Sequence, residues 1–253
     1  MPFFQVVRSP HPTYHDRMAQ HRFRSFVGLL LIAAAPVTAA ESAERSAATA
    51  TLTGISLDAA WKAKLYAFAR EKLRHPAWGW THSERDYQLA KDVAAKEGLA
   101  IDNDVLFAAA FLHDIGAVGE FQKEGVDHAE RSVEIAEPML RELGFPMAKW
   151  PAVRAAILGH MYDEPAGDGA VGIVLHDADT LDFLGTVGVA RRLSVTGRAT
   201  DYAGGLARIR EFADQLPSRL VTAAAKAMAA TRVAQMRRFL QELESQTHGG
   251  KLP

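Results

Sequence analysis

The stretch Val171-Gly172-Ile173-Val174-Leu175-His176-Asp177-Ala178-Asp179-Thr180-Leu181-Asp182-Phe183-Leu184 decides how this chain is read. It is apolar on most sides at helical spacing, which predicts a helix buried at the centre of a fold. Asp179 lies inside that apolar run. A carboxylate buried there needs a partner, because an unpaired charge in an apolar interior is costly.

Working outward from it, the flanking segments also read as helices. From Ser56 onward, Leu57, Trp61, Leu65 and Phe68 form one stripe at spacings of three and four. Thr81-x-x-Glu84 reads as a capping box that opens a helix at His82, running to Gly98. Asp102 or Asn103 caps the next helix, which carries Leu106, Ala110 and His113 on one face and stops at Gly116. Asp127-x-x-Glu130 caps a helix that opens at His128 and ends near Gly144, with Pro138 expected to kink or split it. Pro151 suits a first turn, and that helix runs to about His160. Ala203–Leu216 and Ser218–Ser245 complete the set. Convincing period-two runs and internal repeats are missing, so the expected fold is a single all-α domain over roughly residues 54–247.

Composition fits this reading. The chain has 253 residues, 48% hydrophobic and 23% charged, enough apolar residue for a substantial core and too much for a disordered chain. Lys and Arg total 29 against 30 Asp and Glu, which gives no charge signal for nucleic acid or an anionic membrane. There is no cysteine, so disulfides, thiolate metal sites, iron–sulfur clusters and a cysteine nucleophile are excluded. At the N-terminus, Arg22 and Arg24 precede an apolar run from Phe26 to Ala35, and small residues follow at Ala39-Ala40. Basic start, short apolar core and small-residue exit predict a signal peptide over residues 1–40 and a periplasmic or secreted protein. The run is short for a membrane span. Met18 is the more natural start, which would make residues 1–17 a start-site artefact. Residues 41–53, rich in Ala, Ser and Thr, read as a linker.

Six of the ten histidines fall in the expected domain. His82 and His128 sit at helix starts, His113-Asp114 and His160 at helix ends, and Asp179 in the central helix. Singly, a histidine near a helix end is commonly a hydrogen-bonded structural residue. Together with a buried aspartate, they are more simply explained by a metal site. Imidazoles and carboxylates without thiolate suit Mn, Fe, Co, Ni or Zn.

The order His82, then His113-Asp114 within Phe111-Leu112-His113-Asp114-Ile115-Gly116, then Asp179 within Ala178-Asp179-Thr180-Leu181-Asp182, resembles the H…HD…D signature of the HD-domain superfamily. Trp80-Thr81-His82-Ser83-Glu84-Arg85 is similar to the family's first-histidine helix. Asp177 to Gly185, with Gly188-Val189-Ala190-Arg191, resembles a conserved block of one bacterial branch, and the Met236…Phe239-Leu240 helix looks like that branch too. Two positions depart from it: Thr180 stands where the branch usually has Arg, and Trp78 where it often has His. His128 and His160 extend the minimal set to the H…HD…H…H…D pattern of two-metal subfamilies, although the HD-GYP signature itself is absent.

The resemblance implies a metal-dependent hydrolase on an all-α scaffold, acting on a phosphomonoester or phosphodiester in a small molecule or nucleotide. His82, His113, Asp114 and Asp179 would hold one divalent ion, with Asp114 bridging to a second ion held by His128 and His160. Mn, Fe, Co, Ni, Zn or Mg would serve. Asp114, Arg85 and Lys123 are the candidate catalytic residues. Arg85, three residues after His82 on the same helical face, would meet phosphate charge or else form a salt bridge behind the site. Lys123 is a weaker candidate for the same task. Asp182 shares a face with Asp179 and would orient a ligand histidine. Asp177 faces away, and His75 and His176 read as structural. Trp78 and Trp80 read as core, with base stacking the alternative. An HD-type hydratase acting on a cyanamide-like substrate, a diiron oxygenase and a non-catalytic metal-binding module stay open as alternatives.

Overall fold

The computed structural model describes residues 49–197 and 200–249. The expected signal peptide (residues 1–40) and linker residues 41–48 lie outside these described residues.

Among the described residues there are nine α-helices and no strand beyond two isolated bridges. They are α1 (Ala60–Lys72), α2 (Trp80–Glu97), α3 (Asn103–Leu112), α4 (His128–Leu143), α5 (Trp150–Leu158), α6 (Gly169–Asp182), α7 (Gly185–Ser194), α8 (Tyr202–Gln215) and α9 (Ala223–Gln246). The all-α expectation holds. Two helices form the centre. In α6, Val174, Leu175, Ala178 and Leu181 are fully buried, as the opening stretch predicts. In α3, every residue from Val105 to Leu112 is buried. Its aromatic side chains continue into the core: Phe107 stacks on Phe111, and Trp61 of α1 meets the edge of Phe107 and of Phe145.

Several boundaries differ from the sequence reading, each for an identifiable reason. Helix α2 begins at Trp80 instead of His82 because Thr81-x-x-Glu84 does not act as a capping box. The Glu84 carboxylate instead accepts from the backbone N–H and hydroxyl of Thr53, at 3.3 and 3.2 Å. The same contact ties down part of the expected linker. Thr53 is held by Glu84, Leu52 N–H donates to the Tyr66 hydroxyl, and Ala50 bridges to Ser56, so residues 49–53 lie against the helices. Asp102 and Asp127 do cap α3 and α4 through their side chains. However, α3 ends at Leu112, and a short 3-10 turn, Ile115–Ala117, follows before the chain moves on. Pro138 does not split α4, which runs unbroken from His128 to Leu143. A helix was also missed. Gly185, at φ +75°, takes a left-handed conformation that separates α6 from α7. The last helix starts at Ala223, capped by the Thr222 side chain, and not at Ser218.

Candidate metal centre

The candidate ligands sit where helices begin and end. His82 is in the first turn of α2 and His128 opens α4. His113 caps the C-terminus of α3 and Asp114 follows it. His160 lies two residues beyond α5, and Asp179 projects from buried α6. Gly116 makes this convergence possible. A Cβ there would stand 2.4 Å from the His128 carbonyl oxygen, so only glycine lets the turn after His113-Asp114 pack against the start of α4. The Gly116 N–H donates to Ser132 Oγ at 2.9 Å, fixing that contact.

Asp114 stands between two groups of side chains. Its Oδ2 lies 3.4 Å from both His82 Nε2 and His113 Nε2. Its Oδ1 lies 3.6 Å from His128 Nε2 and 3.5 Å from His160 Nε2. On the first side, Asp179 Oδ1 approaches His82 Nε2 to 3.2 Å, and the two imidazole Nε2 atoms of His82 and His113 are 3.2 Å apart. On the second, His128 and His160 Nε2 are 3.3 Å apart. Such separations match the edges of a coordination polyhedron. Donor atoms ~2.1 Å from one ion lie ~3.0 Å apart along an octahedral edge and ~3.4 Å apart along a tetrahedral one.

The tautomers point the same way. His113 Nδ1 donates to the Ala110 carbonyl at 2.9 Å and His160 Nδ1 to the Ile157 carbonyl at 2.6 Å. His82 Nδ1 donates to Asp182 Oδ2 at 2.8 Å. In each ring the Nε2 therefore carries a lone pair. In the neutral rings these lone pairs face one another and carboxylate oxygens, an arrangement of acceptors that shared protons or a bound cation relieve. The residues present fit a divalent ion.

Charge follows from the same geometry. Burial and the Arg191 guanidinium oppose a positive His82, but the Asp86, Asp114 and Asp179 carboxylates outweigh them and hold it well above the ordinary imidazole range. Burial opposes ionisation of Asp114, and the imidazoles of His113, His160 and His82 overcome it, so that carboxyl is held well below its usual range. Arg191 Nη2 also lies 3.3 Å from His82 Nε2, a long contact. Its stronger bonds go to the Ala77 carbonyl and to Asp182, at 2.6 and 2.9 Å.

The other candidates are placed as follows. Asp182 accepts from His82 Nδ1, Arg85 Nε and Nη2, and Arg191 Nη1, and these partners hold its carboxyl far below the usual range against the effect of burial. Arg85 thus spends two of its three nitrogens on Asp182. Lys123 pairs with Glu134 at 3.8 Å and lines a 440 Å³ cleft with Gly116, Ala117 and His128. Asp177 turns away from the cluster and accepts from the Val221 and Thr222 N–H groups. His176 bridges the Gly159 and Arg219 carbonyls, and His75 stacks on Trp78. Trp78 donates to the Ala117 carbonyl and Trp80 meets the edge of Tyr66.

One residue escaped the sequence reading. Asp86 is fully buried beside His82 and His113, with its Oδ2 3.1 and 3.5 Å from their Nε2 atoms. Its spacing of four from His82 puts both on one helical face, which was the available signal.

The family model for the HD domain matches residues 79–184, from the N-cap of α2 to just beyond α6. No curated protein matches the sequence. Among solved structures, a Lactobacillus plantarum protein is 25% identical, covering 73% of this chain and 95% of its own, with a TM-score of 0.57. An HD-superfamily hydrolase from an uncultured Thermotogales bacterium is 27% identical, with coverage of 72% and 91% and a TM-score of 0.51. Bacillus subtilis YpgQ, solved in complex with ADP, shares the fold at 22% identity, with coverage of 73% and 97% and a TM-score of 0.55. The segment of this chain that gathers the histidines and aspartates, residues 79–184, thus matches the HD domain, on a fold like that of HD-superfamily hydrolases.

Proposed function

We propose that the protein is a two-metal hydrolase that cleaves a phosphoester bond in a small molecule or nucleotide. The observation that carries this reading is the position of Asp114, with one oxygen toward His82 and His113 and the other toward His128 and His160. His82, His113, Asp114 and Asp179 would hold one ion, and His128, His160 and Asp114 the other. Bound divalent ions would supply a water of lowered pKa and polarisation of a phosphoryl oxygen.

The remaining work falls to the protein. The Ala110 and Ile157 carbonyls and the Asp182 carboxylate fix three ligand imidazoles through their Nδ1–H groups. Two clefts flank His128. The 440 Å³ cleft carries Lys123 and Glu124, and the 610 Å³ cleft carries Asp127, Glu130, Asp163 and Glu164. A phosphate group meets less repulsion on the Lys123 side, where one lysine offsets one glutamate, than on the side with four carboxylates. Arg85, held by Asp182, acts mainly by orienting His82 through their shared carboxylate. The signal-like N-terminus adds the proposal that the protein works in the periplasm or outside the cell, which N-terminal sequencing of exported protein tests.

The decisive experiment is metal analysis of the purified protein combined with a screen of phosphomonoesters, phosphodiesters and nucleotides under Mn, Co, Ni, Zn, Mg and Fe. Two ions per chain and phosphoester turnover with more than one metal are expected. Iron-restricted oxygen uptake would move the assignment to an oxygenase, and urea formation from cyanamide to a hydratase. Stoichiometric metal without turnover would leave a binding module.

A further inference from the structure

We propose that Asp86 is a metal ligand that closes the inner of the two sites and leaves the outer site, at His128 and His160, as the one that receives substrate. The inference rests on the metal reading above and goes beyond the ligand set that the sequence suggested.

Asp86 is 0% exposed, and neither of its carboxylate oxygens has a hydrogen-bond partner. Asp179 Oδ1, across the same space, also lacks one. Buried carboxylate oxygens left without donors are costly, and several together in one spot call for a cation. The neighbouring arginine does not answer this need, because Arg191 gives its hydrogen bonds to Ala77, Asp182 and His82. His82, Asp86, His113 and Asp179 each offer a ligand atom, and these atoms all lie within 4.8 Å of one another. Asp114 Oδ2, 3.4 Å from both imidazoles, makes a fifth donor.

The outer site has three donors: His128 Nε2, His160 Nε2 and Asp114 Oδ1. Exposure separates the two sites in the same sense. The His82, Asp86, His113 and Asp179 side chains are 0–2% exposed; at the outer site His160 is as buried, but His128 is 27% exposed and borders both clefts, which opens that site on one side. A metal site filled by protein donors and sealed from solvent is structural in character, and one that keeps open positions is the reactive kind. Three carboxylates on the inner ion also favour a hard, oxygen-preferring cation there more strongly than at the histidine-rich outer site.

The test uses the full chain and its Asp86→Asn variant, which keeps size and shape but removes the charge. Both are loaded with cobalt(II) and manganese(II), then dialysed and analysed for metal per chain. Wild type is expected to hold two ions. The variant is expected to bind the inner ion at least about 100-fold more weakly, beyond the usual effect of losing an outer hydrogen-bonding partner. Its cobalt absorption should change as the inner coordination number falls. An Asn variant with wild-type stoichiometry, affinity and cobalt spectrum overturns the inference while leaving the two-metal reading intact. A wild type that binds no metal overturns both. Should the variant fail to fold, anomalous diffraction from manganese-loaded wild-type crystals decides: Asp86 Oδ2 within bonding distance of an ion supports the assignment, and a gap too long for coordination defeats it.

Discussion

Asp177, Asp179 and Asp182 stand within two turns of α6, and each carboxylate meets a different demand. Asp179 faces the imidazole of His82, Asp182 holds the far side of that ring, and Asp177 serves the backbone before α9. Asp182 gathers one imidazole and two guanidinium groups in a nearly sealed setting. Replacing it by Asn leaves the buried Arg191 and the half-buried Arg85 short of their counter-charge. Asp182→Asn should cost roughly 3 kcal/mol of stability, in line with breaking a buried ion pair. It should also weaken the first metal about 10- to 100-fold, as loss of an outer partner of a ligand histidine does. Thermal unfolding and a metal titration check the two effects separately, and an unchanged metal affinity would show that His82 needs no such support. At this scale the sequence was informative where spacing or order carries the signal. Asp182 was legible as a partner because it shares a face with Asp179, and His113-Asp114 because the pair ends a helix. Asp86 was not, since nothing in Ser83-Glu84-Arg85-Asp86-Tyr87 reveals which carboxylate is turned inward. Burial belongs to the packed molecule, and here the α2 carboxylates divide: Glu84 reaches back to Thr53 and Asp86 faces the imidazoles.

Helix ends, more than helix interiors, determine what this fold presents. The periodicity that reveals an amphipathic or buried helix is spread over many residues, so α3, α4 and α6 were readable from pattern alone. Ends depend on single interactions that compete, and there the reading slipped. Thr81-x-x-Glu84 has the spacing of a capping box, yet Glu84 finds Thr53 instead, a partner 31 residues away that no local pattern shows. Gly185 breaks α6 from α7 through one left-handed residue inside an otherwise helical pattern. Two substitutions test ends that matter. Asp177 accepts the Val221 and Thr222 N–H groups and the Thr222 hydroxyl, so it anchors the entry to α9. Asp177→Ala would orphan those donors and should cost about 1–3 kcal/mol. At about 2–4 °C per kcal/mol for a chain of this size, melting falls by several degrees. Metal content should stay at the wild-type level, which separates Asp177 from its neighbour Asp179. Gly116→Ala acts at the contact between the His113-Asp114 turn and α4. Its Cβ would meet the His128 carbonyl at 2.4 Å and Arg131 Cβ at 2.8 Å, so α4 must move. Overpacking of this kind costs about 1–3 kcal/mol. Because His128 moves with α4 while His82 and Asp179 do not, binding of the second ion should suffer more than binding of the first. Equal losses at both sites in a two-step titration would contradict that order.

Across the whole molecule, the fold brings a dense set of ionisable groups to one buried place, and this ties its stability to both pH and metal. In the metal-free protein, Asp114, Asp179 and Asp182 are held below their ordinary range by neighbouring imidazoles and arginines, in each case against burial. Groups of this kind contribute stability that is present above their unfolded pKa of about 3.9 and is lost as pH falls through their lower folded values. His82 and Asp86 are shifted the opposite way. Burial is the main cause for Asp86, while for His82 the surrounding carboxylates outweigh both burial and Arg191. The His82 contribution is complete below its unfolded pKa of about 6.5 and disappears as pH rises through its folded value. For Asp86, ionisation in the folded state becomes progressively more costly above about pH 4, where the unfolded carboxyl has already released its proton. The chelated protein should therefore be most stable near pH 4, lose stability below it as the depressed carboxyls take up protons, decline above it through Asp86, and decline more steeply above about pH 6.5 as the His82 contribution is lost. Metal reverses the alkaline limb, because a cation takes the place of the protons shared among His82, Asp86 and their neighbours, and its binding strengthens as those protons leave. At a free metal concentration 100 times the dissociation constant, the added stability is about 2.7 kcal/mol, or roughly 5–10 °C in melting temperature. Melting temperature measured from pH 4 to 9, with chelator and with saturating manganese, should give two curves that nearly meet at the acid end and diverge steadily above pH 6. Curves that run parallel across the range would mean that metal binding displaces no protons from this cluster, and that the histidines and carboxylates gathered there are not its ligands.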